Sequence, residues 1–208
     1  MKIGIVGFQG DVEEHVQMMG QVSKETGKKI EMIRIKKKSD LNGIKGIIIP
    51  GGESTTIFKL IQEYGIYEEI KRMVTEDRVA FMGTCAGLII ASKNTNDTRV
   101  KGMGLLDVEI ERNGYGRQSD SFIKEINVKG IGNFNAVFIR APIIRSFGDV
   151  EVLGYVNESA VIVKKDNVLG LTFHPELTQD TRIHEFFIDM IERGGYISDG
   201  AFGMGVTA

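Results

Sequence analysis

Two short runs, Gly46-Ile47-Ile48-Ile49 and Val79-Ala80-Phe81-Met82, are almost wholly apolar, and each stops at a turn rich in glycine. A strand without polar alternation must be covered on both faces. That describes a parallel sheet packed under helices, not an antiparallel sheet with one wet side. The intervals between such runs agree. Residues 3–8 read as a strand, 12–26 as an amphipathic helix, 30–35 and 46–49 as strands, 55–64 and 66–76 as helices, and 79–82 as a strand feeding another helix. Strand and helix in alternation predict an α/β fold with a mostly parallel sheet, helices on both faces, and sites at the carboxyl ends of strands. After residue 100 the character changes. Short strands at 105–111, 121–128, 136–139, 150–155, 160–164 and 168–172 have no helices between them, so this part of the sheet is expected to be mixed or antiparallel. An amphipathic helix over 180–193 closes the domain, with Ile183, Phe186, Phe187, Met190 and Ile191 among its apolar positions.

Both glycine turns fall where a parallel sheet places its sites. In Met82-Gly83-Thr84-Cys85-Ala86-Gly87 the only cysteine of the chain sits at the centre of a strand-to-helix turn. Such a turn lifts its central side chain clear of the backbone. It also aims the positive end of a helix at that side chain, which favours thiolate. Taken alone, the hexapeptide fits a nucleophile and a small buried hydrophobe equally well. The other turn, Pro50-Gly51-Gly52-Glu53-Ser54-Thr55, exposes backbone N–H groups without a Cβ in the way. Those of Gly51 and Gly52, with the amide of Ala86, could form an oxyanion hole. A cap by Ser54 or Thr55 on the following helix is expected as well.

Far downstream lies Thr172-Phe173-His174-Pro175-Glu176. In an extended segment His174 and Glu176 point the same way, and Pro175 biases His174 toward extended backbone. A cysteine nucleophile needs a base, and the base needs an acceptor on its other ring nitrogen. Cys85, His174 and Glu176 can fill those roles in that order. His15 and His184 lie on separate predicted helices without ligand-spaced companions, so no metal site is expected.

Composition sets bounds. The chain has 208 residues, 26% of them charged, with net charge −2, and nothing in that balance favours nucleic acid. The basic run Arg34-Ile35-Lys36-Lys37-Lys38 reads as a solvated loop. A single cysteine excludes an internal disulfide and suits a reducing compartment. No apolar stretch reaches the roughly 18 residues of a membrane span, and the start shows no signal-peptide pattern. A soluble, cytoplasmic protein with no membrane or nucleic-acid partner is the expectation.

Pro-Gly-Gly-Glu-Ser, Gly-Thr-Cys-Ala-Gly and His-Pro-Glu, in that order, resemble class I (triad) glutamine amidotransferase domains. Further stretches are similar to the family of glutaminase subunits of pyridoxal 5′-phosphate synthases. They are Phe8-Gln9-Gly10-Asp11 through His15, Arg112-Asn113-Gly114-Tyr115-Gly116-Arg117-Gln118-Ser119-Asp120-Ser121-Phe122, Phe138-Ile139-Arg140-Ala141-Pro142, and residues 173–178. The resemblance covers residues 2–193. It implies a single three-layer α/β domain over 1–193, flavodoxin-like, with an antiparallel extension. It also implies hydrolysis of L-glutamine to glutamate and ammonia through a glutamyl thioester. Cys85 would attack, His174 shuttle the proton, and Glu176 orient His174, while Gly52, Glu53, Ser54, Arg112, Ile139 and Arg140 would bind glutamine. Without the resemblance, Arg112 and Arg140 would read as solvated surface. The implied partner is a barrel-shaped synthase subunit in a heteromeric complex, which receives the ammonia to build the coenzyme. This chain would itself hold no cofactor. Docking is implied to switch the glutaminase on, with Gly51-Gly52 moving and Gln9-Gly10-Asp11 at the docking surface.

Two other readings fit parts of the pattern: an ammonia donor to another synthase, such as one making imidazole glycerol phosphate, and a cysteine hydrolase on a similar sheet. Cysteine hydrolases commonly place a histidine directly after the nucleophile, where Ala86 stands here. A third is a binding subunit whose chemistry has lapsed, against which the intact Cys85, His174 and Glu176 speak. Residues 194–208 depart from the family: five glycines among residues 194–205 argue for a flexible tail.

Overall fold

A computed structural model describes residues 1–112 and 121–194. The expected tail over 195–208 and the family motif over 113–120, Gly114 included, lie outside them.

The first half folds as strand and helix in turn: β1 (Lys2–Val6), α1 (Val12–Thr26), β2 (Glu31–Ile35), β3 (Gly46–Ile49), α2 (Ser54–Glu63), α3 (Tyr67–Thr75), β4 (Ala80–Thr84) and α4 (Ala86–Ala91). Strands follow: β5 (Ser92–Thr95), β6 (Leu106–Glu111), β7 (Ser121–Val128), β8 (Gly132–Ile139), β9 (Ile143–Phe147), β10 (Glu151–Val156), β11 (Ser159–Lys165) and β12 (Val168–Leu171). Helix α5 (Arg182–Glu192) comes last. One seven-stranded sheet runs β10-β11-β12-β4-β3-β1-β2. Its pairings from β12 through β4, β3 and β1 to β2 are parallel, and β11 and β10 add an antiparallel flank. This is the α/β domain that the sequence pattern predicts.

Alternation along the buried strands divides the interior. Ile47, Ile49 and Phe81 face a core shared with α2, α3 and α4. Ile48, Ala80 and Met82 face a second core shared with α1 and α5. Burying one such large side chain stabilises by roughly 2 kcal/mol. Tight approaches set the layer spacing: a Cβ on Gly87 would overlap the Ile49 carbonyl oxygen, so glycine lets α4 lie against β3.

Two sequence expectations are corrected. The strands near 105–111, 121–128 and 136–139 do not extend the main sheet. They form a three-stranded sheet, β5-β6-β9, and a hairpin, β7-β8. Leu106, Val108 and Ile110 of β6 fill the first core, while Phe134, Ala136 and Phe138 of β8 fill the second. Neither Ser54 nor Thr55 caps α2. Glu53 occupies the cap position, buried Ser54 Oγ meets no hydrogen-bond partner among the described residues, and the Thr55 hydroxyl donates to Glu53 Oε1.

Candidate active site

Cys85 is the hinge residue between β4 and α4, with φ 46° and ψ −96°. A non-glycine residue is rarely found at positive φ, and such strain persists only where the surroundings dictate it. Here β12 helps to dictate it, because Cys85 N–H donates to the Leu171 carbonyl at 2.8 Å. The sulfur projects toward the Ile139 carbonyl oxygen, 4.0 Å away. Arg140, the residue after Ile139, is a second positive-φ residue, at 42°.

His174 reaches the site from the segment after β12, tied to β8 by its N–H to the Val137 carbonyl at 2.8 Å. The backbone then enters a 3₁₀ turn, Pro175–Leu177, instead of staying extended. This corrects the stated route but not the outcome, since the turn folds Glu176 back so that His174 Nδ1 lies 3.0 Å from Glu176 Oε1. The same nitrogen lies 3.0 Å from Asp11 Oδ2. Asp11 stands at the N-cap of α1, yet its carboxylate serves the imidazole rather than the helix. That role carried no signal in the sequence beyond a good cap residue. Together Asp11, His174 and Glu176 bring one nitrogen and two carboxylate oxygens within 4.8 Å of one another. Hydrogen bonding to Nδ1 accounts for that cluster.

Burial disfavours a charge on His174, but Asp11 and Glu176 on Nδ1 and the nearby Cys85 sulfur outweigh it and push the pKa up to about 12, although Nε2 itself has no hydrogen-bond partner among the described residues. With Nδ1 committed to carboxylates, Nε2 is the nitrogen left for the cysteine sulfur. Burial pushes Glu176 up from the usual carboxylate range, and His174 opposes that shift by hydrogen bonding and charge. Cys85 and His174 thus line one cavity and Glu176 lies on His174 Nδ1, all three residues at most 7% exposed.

A cavity of about 380 Å³ opens at Cys85 and His174. Its lining brings together every expected glutamine-binding position, Gly52, Glu53, Ser54, Arg112, Ile139 and Arg140, with Cys85 and His174. Arg112 Nη2 donates to Glu53 Oε1 at 2.7 Å, and Nη1 contacts Asp97 Oδ2. Arg99 first, and then Arg112, holds the Asp97 carboxyl well below the usual range. Asp97 was not anticipated. The glycine turn is gripped from outside. Asp11 N–H donates to the Gly51 carbonyl at 3.1 Å and Glu53 N–H donates to Gln9 Oε1 at 2.8 Å, while a Cβ on Gly10 would overlap the Gly51 carbonyl oxygen. Gly51 N–H donates to Thr84 Oγ1 at 3.0 Å. Gly51 is therefore engaged, and Gly52 and Ala86 remain as the oxyanion candidates.

His15 and His184, which looked isolated in sequence, meet behind Glu176 with His15 Nδ1 3.0 Å from His184 Nε2. The available signal was their place on the apolar stripes of their helices, His15 between Val12 and Met19 and His184 beside Ile188. Burial first, then the charges of His184 and His174, pushes His15 well below its ordinary 6.5, and burial pushes His184 down to about 3. A histidine depressed on folding is protonated first in the unfolded chain. Stability should therefore fall as pH drops below 6.5, by up to about 1.4 kcal/mol per pH unit for each histidine. Glu176, raised on folding, binds its proton first in the folded state and offsets part of that slope. His174 is charged in both states below 6.5 and adds nothing to the slope there; its own contribution is lost only as pH rises. Urea unfolding at pH 5 is expected to show roughly 1–3 kcal/mol less stability than at pH 7, and equal midpoints would contradict neutral burial of the pair.

Among the described residues no helix is long and apolar enough to cross a membrane. The model of the SNO glutamine amidotransferase family matches residues 5–193. A Thermoplasma acidophilum protein named "Pyridoxal 5'-phosphate synthase subunit PdxT" is 56% identical over 199 residues, covering 95% of this chain and 97% of the relative. The Archaeoglobus fulgidus protein of the same name is 48% identical over 197 residues, covering 92% and 99%. A crystal structure described as a glutamine amidotransferase superposes with a TM-score of 0.83 at 41% identity, over 91% of this chain and 98% of that one. The glutaminase domain of the Trypanosoma brucei CTPS, at TM-score 0.57 and 9% identity over 98% and 96%, shares the fold.

Proposed function

Because the chain belongs to the SNO glutamine amidotransferase family, we infer that it is the glutaminase subunit of a pyridoxal 5′-phosphate synthase. It hydrolyses L-glutamine to L-glutamate and ammonia. Cys85 Sγ, its proton already resting on His174 Nε2, attacks the side-chain amide carbon. Charge builds on the amide oxygen, and the backbone N–H groups of Gly52 and Ala86 are the donors for it. His174 then gives its proton to the departing nitrogen, and ammonia leaves a glutamyl thioester. Water, deprotonated by His174, attacks the thioester and frees glutamate and Cys85. Asp11 and Glu176 hold the imidazole and balance its charge throughout. Cys85 and His174 lining one pocket, with Glu176 on the far ring nitrogen of His174, carries this reading.

Arg112 is assigned to the glutamine α-carboxylate, exchanging part of its contact with Glu53 and Asp97, and Glu53 is then free to face the α-ammonium. Arg112→Ala should raise KM about 10- to 100-fold, the equivalent of a charge-assisted hydrogen bond, with a smaller change in kcat. A drop confined to kcat would move Arg112 from binding to the chemical step.

The partner is a barrel-shaped synthase subunit in a heteromeric complex, and the compartment is the cytoplasm, where a lone reactive cysteine stays reduced. Ammonia is protonated in neutral water and is then no nucleophile, so it is best made beside its consumer. Gln9-Gly10-Asp11 grips Gly51-Gly52, so docking on that loop would reposition the oxyanion donors. The test is to mix the purified chain with its cognate synthase, glutamine and the sugar phosphates. Coenzyme should form, and glutaminase turnover should rise on mixing. No coenzyme would contradict the assignment, and equal glutaminase rates with and without the synthase would refute the switch.

A further inference from the structure

Behind the base lies a buried polar chain that the mechanism does not use. His15 on α1, Thr84 at the end of β4 and His184 on α5 are all fully buried. His184 Nε2 lies 3.0 Å from His15 Nδ1, and His15 Nε2 lies 3.2 Å from Thr84 Oγ1 and 3.5 Å from Glu176 Oε2. Thr84 Oγ1 lies 3.4 Å from Glu176 Oε1 and accepts from Gly51 N–H at 3.0 Å.

One proton arrangement satisfies this chain. A threonine hydroxyl accepts two hydrogen bonds and donates one. Gly51 N–H supplies the first donor. If His15 Nε2–H supplies the second, the hydroxyl proton is left for Glu176 Oε1. His15 Nδ1 then accepts from His184 Nε2–H, leaving His184 Nδ1 as a bare acceptor, and that atom indeed has no hydrogen-bond partner among the described residues. The opposite tautomer of His15 would draw the threonine proton away from Glu176. It would also aim a lone pair at Glu176 Oε2, a buried oxygen without a hydrogen-bond partner among the described residues.

Resting on the glutaminase reading, we propose that His15 is a positioning residue: its Nε2–H fixes the Thr84 hydroxyl, which orients the Glu176 carboxyl and ties the triad to the glycine turn. Thr84 is the junction, because one oxygen serves both Gly51 and Glu176. The groups facing the Glu176 carboxyl are His174 from its own turn, His15 from α1, Thr84 from β4 and the nearby Asp11, with His184 acting through His15. Losing the His15 or Thr84 donor raises the pH at which Glu176 takes a proton and lets go of the imidazolium. The acid limb of the rate profile then moves upward.

The test measures kcat/KM for glutamine against pH in the complex with the cognate synthase, for wild type, His15→Leu, His15→Gln, Thr84→Val and Thr84→Ser. Glutamine's amide can place an N–H where Nε2–H was, and serine keeps the hydroxyl. We expect His15→Leu and Thr84→Val to lose about 10- to 100-fold near neutrality, as partners orienting metal-bound histidines do. Their acid limbs should shift up by half a pH unit or more (a change of about threefold or more in the proton equilibrium), with Gln and Ser restoring most of both. If His15→Leu does not fold, Thr84→Val against Thr84→Ser decides. A purely structural role would lower activity evenly across pH. An unshifted acid limb with an active wild type, or no recovery in the conservative variants, overturns the proposal. A wild-type complex inactive on glutamine overturns the reading beneath it instead.

Discussion

Cys85→Ser is expected to lower glutamine hydrolysis by on the order of 10⁴-fold or more, as losing the nucleophile of a triad does. Serine differs from cysteine by one atom and suffers the same strain at φ 46°, so the melting temperature should hardly change. What changes is the chemistry. A hydroxyl is far more reluctant than a thiol to give up its proton, and the imidazole is already held as a cation between Asp11 and Glu176. It is arranged to stay protonated, not to strip a hydroxyl. Glutaminase turnover in the complex checks this, and a serine variant near the wild-type rate would remove Cys85 from the reaction.

The second large effect concerns a residue without a side chain. A Cβ on Gly51 would overlap His174 Cε1 and lie 2.7 Å from both His174 Nδ1 and Asp11 Oδ2. Neither neighbour can yield cheaply, since the ring is buried and held by two carboxylates. Either the imidazole shifts from its place beside the two carboxylates or the glycine turn moves away. Misplacing reacting groups by about 1 Å costs on the order of 100-fold, and Gly51→Ala is expected to lose at least that in kcat while remaining folded. Gly20→Ala is the control, because a Cβ there meets nothing within 4 Å. It should leave turnover unchanged and add about 0.5–1 kcal/mol of helix stability. Equal activity in the two variants would mean that the turn is not packed on the base.

Most of the scaffold was legible because its signals are local. The helix at 12–26 and the strand at 46–49 have the expected bounds, since an apolar stripe and an all-isoleucine run each fit one kind of element. Strands β5 and β9 escaped notice. Ser92-Lys93-Asn94-Thr95 is polar, and Ile143-Ile144-Arg145-Ser146-Phe147 follows a proline, so only pairing with β6 makes strands of them. Which sheet a strand joins is likewise decided by tertiary partners. At the site, sequence order and turn chemistry marked Cys85, His174 and Glu176. The layers around them were hidden because each member has an ordinary local role. Asp11 looks like a cap, Thr84 like a strand end, and His15 and His184 like polar residues on helices. Their meeting is produced by the packing of α1 and α5 against the same face of β4, which no spacing along the chain encodes.

The central claim is that the Cys85 sulfur is activated within a pocket that takes glutamine. It is tested most directly by exposing the synthase complex to a glutamine analogue carrying an electrophilic ketone in place of the amide, and locating the adduct by peptide mass spectrometry. One equivalent should add to Cys85, be blocked by excess glutamine, and be largely lost in His174→Ala. An unlabelled Cys85, or labelling that glutamine does not suppress, would contradict the account.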